Sequence, residues 1–153
     1  MIPENTNLSE DFSKSRGQLI DDYRNIAEHI NGVIEETTPT VNNTTVTTID
    51  FVYYRQNILV DAWINLTWSA RTGNVEIELP YYTKAMTNSV WYFPVSFSNV
   101  TLSDGYTDIV IGIPANSNTA TLYEAGSGQA LQALSSASGA ITGHFRFLGQ
   151  EGR

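Results

Sequence analysis

The chain has 153 residues, contains no Cys and carries a net charge of −8, with a sequence pI of about 4.5. An acidic surface repels nucleic-acid phosphates, and a chain without Cys forms neither disulfides nor thiol-based sites. No apolar run reaches the roughly 18 residues of a membrane span, and Met1 is not followed by the basic and apolar stretches of a signal peptide. We therefore expect a chain that binds no nucleic acid, spans no membrane and carries no signal peptide.

The first part of the chain is predicted to be an anchor followed by a helix. Residues 1–12 are polar and include Pro3, which indicates an extended N-terminal anchor. In residues 13–36 the apolar side chains recur in alternating steps of four and three, which is the spacing of an amphipathic helix with a heptad seam. The seam residues are Leu19, Tyr23, Ile26, Ile30 and Val33.

The seam covers only about two and a half heptads, so two partners for it remain open. One is the chain's own β domain, and the other is the same seam in neighbouring copies at a three-fold axis. A helix of about 20 residues is marginally stable alone, so its apolar stripe must be covered. We predict the five seam residues as the oligomer interface of a homotrimer.

Residues 37–153 are predicted to form one β domain. After Pro39 the apolar period becomes two, most clearly in Ile58–Ser69, where the apolar side chains point to one face and Asp61, Trp63 and Asn65 point to the other. A turn is predicted at 71–74 and an irregular surface loop at 126–140. Further strands are predicted at Ile49–Arg55, Val75–Leu79, Val90–Phe97, Thr107–Ile113, Thr119–Tyr123 and Ile141–Leu148.

The number and spacing of these strands indicate the fold class. Seven or so short strands with turn signals between them are typical of a sandwich or jelly roll. The predicted fold is therefore mainly β, an antiparallel, jelly-roll-like β-sandwich preceded by a short N-terminal α-helix.

The sequence offers few groups for catalysis. His29 falls in the predicted helix and His144 in the last strand, where it shares a face with Thr142 and Arg146. Glu76 and Glu78 share one strand face about 7 Å apart, which resembles a glycosidase pair in spacing alone, because no apolar pocket accompanies them to raise one pKa. We expect a non-enzymatic protein with no metal and no cofactor; a hydrolase that uses the two Glu residues is a remaining alternative.

Aromatic side chains provide the other functional indication. Trp63 lies on the polar side of its strand, and Tyr81, Tyr82 and Trp91 cluster in sequence around Pro80 and the following loop. Exposed aromatic rings with polar neighbours suit sugar stacking or subunit contacts, whereas buried ones line a core. We predict Trp63, Tyr81, Tyr82 and Trp91 as possible glycan contacts.

Two segments, the opening of the chain and the part from Val52 to the C-terminus, resemble phage virion proteins of the tail-fibre-tip and capsid-decoration β-sandwich kind. The opening, with IPENT at residues 2–6, SKSR at 13–16 and YRNI at 23–26, resembles the start of many tail-fibre-like proteins. The stretch TGNVEIELP at 72–80 is similar to a signature of fibre-tip and decoration sandwiches. The ending ITGHFRF at 141–147 looks like the closing strand of such domains. The resemblance implies a trimeric particle component that is anchored by its N-terminal segment and carries no catalytic residues.

These observations lead to one functional hypothesis and one alternative. The hypothesis is a non-enzymatic homotrimeric structural protein on the phage particle surface, either a capsid decoration protein or a short tail fibre or spike, bound to other capsid or tail proteins. The alternative is a carbohydrate-binding module that recognises host surface glycans for attachment.

Overall fold

The computed structural model describes residues 32–150, and all regular secondary structure in this range is β. The strands are β1 (Val33–Thr37), β2 (Val41–Gln56), β3 (Leu59–Glu78), β4 (Val90–Ser98), β5 (Asp108–Pro114), β6 (Thr119–Ala125), β7 (Gln132–Ala133) and β8 (Gly139–Leu148). Every pairing between them is antiparallel. No helix long and apolar enough to cross a membrane occurs between residues 32 and 150.

Five of the strands close into a barrel. They pair in the order β3, β8, β4, β5 and β6, and β6 then returns to β3, where Glu76, Ile77 and Glu78 pair with Thr121, Ala120 and Thr119. β2 and β1 extend the sheet outside the barrel beyond β3, and the short β7 pairs with β6. The sheet therefore has a closed part and an open extension that share β3.

The length and irregularity of β3 explain how the barrel closes. Its first ten residues, Leu59–Trp68, pair with β8, whereas its last three residues pair with β6. Between these parts the register with β2 shifts at several points, and Asn43 has a positive φ of 59°. Such irregularities bend a strand and increase its twist. One continuous strand can therefore belong to both edges that have to meet.

The inward faces of the strands form one apolar core. On β3 the buried residues are Val60, Ala62, Ile64, Leu66 and Trp68, followed by Val75 and Ile77. Burial of such side chains stabilises the folded state by about 25 cal/mol for each Å² removed from water. The remaining core comes from β2, β5, β6 and β8 and includes Phe51, Tyr53, Ile109, Ile111, Ile113, Leu122, Ile141, Phe145 and Phe147.

The predicted sandwich is wrong, because the sheet is one closed barrel and not two facing layers. Alternating strands bury one face in either architecture, so the period of two does not distinguish them. The pairing of Glu76–Glu78 with β6 decides for closure. The same continuity corrects the turn predicted at 71–74, since these residues lie within β3.

The predicted α-helix at 13–36 is wrong at its end. Val33–Thr37 form β1, which pairs with β2, and Gly32 before it has a φ of +81° that is not helical. The rest of the helix, the anchor at 1–12 and the seam residues Leu19, Tyr23, Ile26 and Ile30 lie outside the described residues. The fifth seam residue, Val33, is a half-buried strand residue opposite Arg55. The β domain therefore begins before the predicted boundary at residue 37.

Most predicted strands are confirmed within one or two residues. Val90–Phe97, Thr107–Ile113, Thr119–Tyr123 and Ile141–Leu148 correspond to β4, β5, β6 and β8. β2 is much longer than predicted, because the Asn- and Thr-rich run before Ile49 is also strand. The predicted loop at 126–140 contains the two-residue β7.

Candidate binding face

The outward side of β2, β3 and β8 carries three rows of side chains that we call the outer face. In the central row Val52, Trp63 and His144 are neighbours across the three strands. Tyr54, Asp61 and Arg146 form the row on one side of it, and Asp50, Asn65 and Thr142 form the row on the other. Cross-strand neighbours on one face lie about 5 Å apart, so side chains within a row are in reach of one another.

The alternation of each strand positions these residues. On β3 Asp61, Trp63 and Asn65 lie between buried apolar residues, and on β8 Thr142, His144 and Arg146 alternate with Ile141, Gly143 and Phe145. A shift of one residue in either register would exchange the polar set for the core set. The outer face is therefore held in place by the apolar residues behind it.

Asp61 is the organising group of the outer face. It is buried, and both of its oxygens accept hydrogen bonds from Arg146: Nε donates to Oδ1 at 2.8 Å and Nη2 donates to Oδ2 at 3.0 Å. Nε2 of His144 lies 3.1 Å from the same Oδ1. The bidentate arrangement is the strongest geometry available to an arginine and a carboxylate. Asp61 thereby fixes the orientation of the Arg146 and His144 side chains.

These contacts also determine the ionisation of the pair. The hydrogen bonds from Arg146 lower the pKa of Asp61, against the opposing effect of burial, and the contact with His144 lowers it further. The same interaction raises the pKa of Arg146. Asp61 is therefore a carboxylate at neutral pH and does not serve as a proton donor.

Trp63 is the exposed ring of the outer face. Its ring stacks on His144, with centroids 4.8 Å apart and planes inclined by 21°. Although held in this way, 48% of Trp63 remains exposed to solvent. An indole ring that is both fixed and exposed is a ready surface for an apolar or partly apolar ligand.

A shallow depression of about 170 Å³ lies beside Trp63 on the side away from Asp61. The surface of the depression is almost entirely apolar, and the polar residues that border it are Asp50, Asn65 and Thr142. Nδ2 of Asn65 donates to Oδ2 of Asp50 at 3.2 Å, and the hydroxyl of Thr142 donates to Oδ1 of Asn65 at 3.5 Å. The depression thus combines one aromatic wall with one row of hydrogen-bonding groups.

A second buried acid, Glu124, lies at one end of the barrel. It points inward from β6 and is fully buried. Its oxygens accept hydrogen bonds from the backbone N–H of Ser103 at 3.1 Å, from Nε2 of Gln132 at 2.8 Å, and from both the N–H and the hydroxyl of Ser135, at 2.8 and 2.5 Å. Glu124 therefore joins two long connections of the chain to the barrel.

The ionisation of Glu124 follows from these donors. Burial alone would raise its pKa, but the hydrogen bonds from Ser135, Gln132 and Ser103 outweigh burial and lower the pKa to about 2. Arg71 strengthens the same region, because its guanidinium donates to the carbonyl oxygens of Ser135 and Ser136. The Glu124 cluster uses its hydrogen-bonding groups internally and offers no opening to a ligand.

The four predicted glycan contacts lie in different places. Trp63 is on the outer face, as its alternation indicated. Tyr81 packs edge-on against the buried ring of Tyr53 at 5.4 Å, and the guanidinium of Arg55 lies 4.0 Å above it. Tyr81 is therefore on the inner side of β2, opposite the outer face.

Tyr82 and Trp91 are also separate from Trp63. Tyr82 is 39% exposed in the connection after β3, where its carbonyl accepts a hydrogen bond from the N–H of Gln150. Trp91 is half-buried on β4 and alternates with the exposed Tyr92. The structure brings Trp63 together with His144, Asp61 and Asn65, and not with the other three rings.

Sequence reasoning missed the pairing of the outer face. It placed Asp61 and Asn65 beside Trp63, and Arg146 beside His144. It did not predict that the two strands, which are about 80 residues apart in the chain, pair with each other. Glu124 was missed as well, although its alternation with Ala120 and Leu122 was a usable signal of a charged residue that points inward.

The other candidate residues form no site in the described part of the chain. Glu76 and Glu78 pair with β6, and Oε1 of Glu78 accepts a hydrogen bond from Asn42 at 3.2 Å. Between residues 32 and 150 no group of three or more His, Cys, Asp or Glu residues is arranged to hold a metal ion. His29 lies outside the described residues.

Comparison with known proteins yields a structural likeness. No family model matches the chain, and no curated protein matches it in sequence. The crystal structure of the Dettilon tailspike protein (gp208) is similar over 74% of this chain, with a TM-score of 0.57 and 18% sequence identity. The chain spans 23% of the length of that protein. At this identity the likeness establishes the fold: the described domain has an architecture that a tailspike also contains.

Proposed function

We propose that this chain is a non-enzymatic structural domain of a phage tail, exposed on the particle and assembled as a homotrimer with other tail proteins. The observation that carries the proposal is the structural likeness between most of this chain and about a quarter of a tailspike. The two sequence segments that resemble phage virion proteins support the same assignment. Among virion locations, the likeness favours a tail spike or short fibre over a capsid decoration protein.

The trimer rests on one feature of the described residues and on the seam predicted from the sequence. Ile34 is 72% exposed, the largest exposed fraction among the large apolar side chains of residues 32–150. It directly follows the predicted heptad seam. Together with the predicted seam, Ile34 makes an apolar stripe larger than one exposed side chain, and the same stripe on neighbouring copies can cover it.

The buried acids support a non-enzymatic role. A carboxyl group that acts as a general acid near neutral pH needs a raised pKa. Asp61 and Glu124 are the buried acids of the described residues, and hydrogen bonds lower the pKa of both. We expect that neither the wild type nor a variant with Gln at positions 76 and 78 hydrolyses glycoside substrates.

The test of the assembly is the mass of the full chain in solution by light scattering. We expect a mass about three times that of the 16.9-kDa chain. Ile26→Asp places a charge in the predicted seam and is expected to reduce the mass to that of a monomer. Asn25→Asp adds the same charge outside the seam and is the matched control. A wild-type monomer, or a trimer that survives Ile26→Asp, would contradict the seam as the trimer axis.

The test of the location is electron microscopy of the virions with antibodies against this protein. Label at the tail supports the proposal. Label distributed over the capsid would replace the tail assignment with a decoration role, and the absence of label on intact particles would overturn both.

A second candidate function is glycan recognition during host attachment. One observation favours it: Trp63 is half-exposed, stacked on His144 and adjacent to an apolar depression that polar side chains border. Binding sites for small ligands commonly combine apolar walls with a few placed polar groups. This candidate is compatible with a structural role, because a tail domain can both assemble and contact a surface.

A further inference from the structure

We infer that the depression beside Trp63 is a binding site for one neutral hexose unit of a polysaccharide, and that it discriminates against acidic sugars. The inference rests on the glycan-recognition candidate above and specifies its ligand class. The shape of the outer face, its hydrogen-bonding groups and the distribution of its charges support it.

The first step is the stacking surface. A pyranose ring presents C–H groups on one face and hydroxyls around its rim, so it needs an apolar plane with polar groups beside it. Trp63 supplies the plane, and the stacked ring of His144 holds it in one orientation. A surface that is ordered before binding loses less conformational entropy when the ligand arrives. Asp61 acts behind His144 as a positioning residue, since it contacts the imidazole and not the depression.

The second step is the rim of hydrogen-bonding groups. Asp50, Asn65 and Thr142 form a continuous row along one side of the depression. A carboxylate accepts several hydrogen bonds, and Asn65 occupies one oxygen of Asp50. The carboxylate of Asp50 can therefore accept further hydrogen bonds, and the hydroxyls of a neutral sugar can donate them.

The third step is charge. Asp50 lies in the depression, and Glu36 on β1 is the neighbour of Val52 in the central row. The guanidinium of Arg146 and the imidazole of His144 are both engaged with Asp61. A carboxylated or phosphorylated sugar would meet the two acids without a released cation to compensate, and the chain as a whole has a net charge of −8. Like charges near one another are unfavourable, so acidic sugars are rejected.

The fourth step is size. The depression has a volume of about 170 Å³, below the roughly 300–1,000 Å³ of pockets that enclose drug-sized ligands, so it suits a single ring. A second depression of about 390 Å³ adjoins it and shares Asp50 and Val52. A polysaccharide chain can therefore continue from the Trp63 depression across β2 toward β1.

The experiment uses the full chain on an array of paired oligosaccharides. Each pair consists of a neutral hexose oligomer and the same oligomer capped with sialic or glucuronic acid, and the best neutral oligomer is then titrated by calorimetry. We expect binding to the neutral member of a pair and little to the acidic one. Trp63→Ala should reduce the affinity about tenfold or more, as for a central aromatic contact, and Trp63→Phe should restore part of it.

Two further variants locate the site. Asp50→Asn should weaken the neutral ligand by a few-fold and raise binding of the acidic partner, so that the preference between them falls. Tyr92→Ala removes an equally exposed aromatic ring on β4, away from the depression, and should leave the affinity unchanged. Light scattering should show the same mass for Trp63→Ala and the wild type.

The outcomes separate this inference from the proposals on which it rests. Preferential binding of acidic oligosaccharides overturns the ligand class but leaves glycan recognition standing. Binding that depends on Tyr92 and not on Trp63 overturns the site. A loss of mass in Trp63→Ala shows that the outer face is a subunit contact and overturns the inference. Absence of binding to every oligosaccharide overturns the inference and the glycan candidate together, whereas the tail assignment stands or falls by the microscopy.

Discussion

The two buried acids of this domain are held in opposite ways. Glu124 is fully buried, and its partners are uncharged groups from two connections that close over the barrel end. Asp61 contacts the side chains of His144 and Arg146, which remain 48% and 61% exposed. The first arrangement is closed and structural. The second fixes side chains that still face solvent, which is what a binding surface requires.

The largest expected effect in this comparison is at Glu124. Glu124→Gln keeps the shape but removes the charge and turns an amide toward donors such as the N–H of Ser135. We expect a loss of about 2–3 kcal/mol in the free energy of unfolding at pH 7, because a buried charged acceptor is lost and donors are left unpaired. Chemical denaturation measures it. A loss below about 0.5 kcal/mol would show that the cluster is not structural.

The stabilisation by Glu124 is also expected to depend on pH. The pKa of Glu124 is lowered to about 2 in the folded protein from an ordinary value of 4.5. Its contribution is therefore fully present above about pH 4.5 and is lost as the pH falls toward 2. We expect the difference in stability between the wild type and Glu124→Gln to shrink over this window. A difference that stays constant down to pH 2 would contradict the assignment.

A smaller effect is expected at Asp61. Asp61→Asn weakens the bidentate contact, but Arg146 can turn to solvent, so we expect a loss of only about 1–2 kcal/mol at neutral pH. The pKa of Asp61 is lowered from 3.8, so this contribution is present above about pH 4 and is lost below it. Denaturation of Asp61→Asn, Arg146→Ala and the double variant forms a thermodynamic cycle. Additive effects of the two substitutions would show that the pair is not coupled.

The smallest effect on stability is expected at Trp63. Because the ring is half-exposed and stacks mainly on His144, Trp63→Ala should change the free energy of unfolding by less than about 1 kcal/mol. Thermal or chemical denaturation beside Trp68→Ala, which empties a core position, provides the contrast. A loss at Trp63 as large as that at Trp68 would identify Trp63 as a structural residue and weaken its assignment to binding.

The sequence predicted the faces of the strands better than their partners. Alternation correctly placed Trp63 with Asp61 and Asn65, and His144 with Arg146, because side chains on a strand point to opposite sides in turn. It contained no information on the register between β3 and β8, which is set by contacts between distant parts of the chain. The aromatic cluster around Pro80 shows the same limit: nearness in sequence did not bring Tyr81 or Trp91 to Trp63.

The spacing of apolar residues along a segment does not distinguish two structures that have the same spacing. Val33 fits a heptad seam and also a strand that leads out of Gly32, and its pairing with Arg55 decides for the strand. In the same way, alternating strands fit both a sandwich and a barrel. The pairing of Glu76–Glu78 with β6 decides for the barrel.

The amino-acid sequence by itself therefore determined the β class, the positions of most strands and the side of each strand that is buried, because these follow from local alternation and the burial of apolar side chains. The tertiary structure alone decided the closure of the barrel, the Asp61–Arg146–His144 contacts behind Trp63 and the enclosure of Glu124. Each of these depends on which distant segments meet, and the free energy that selects that meeting comes from the packed core as a whole and not from any single segment.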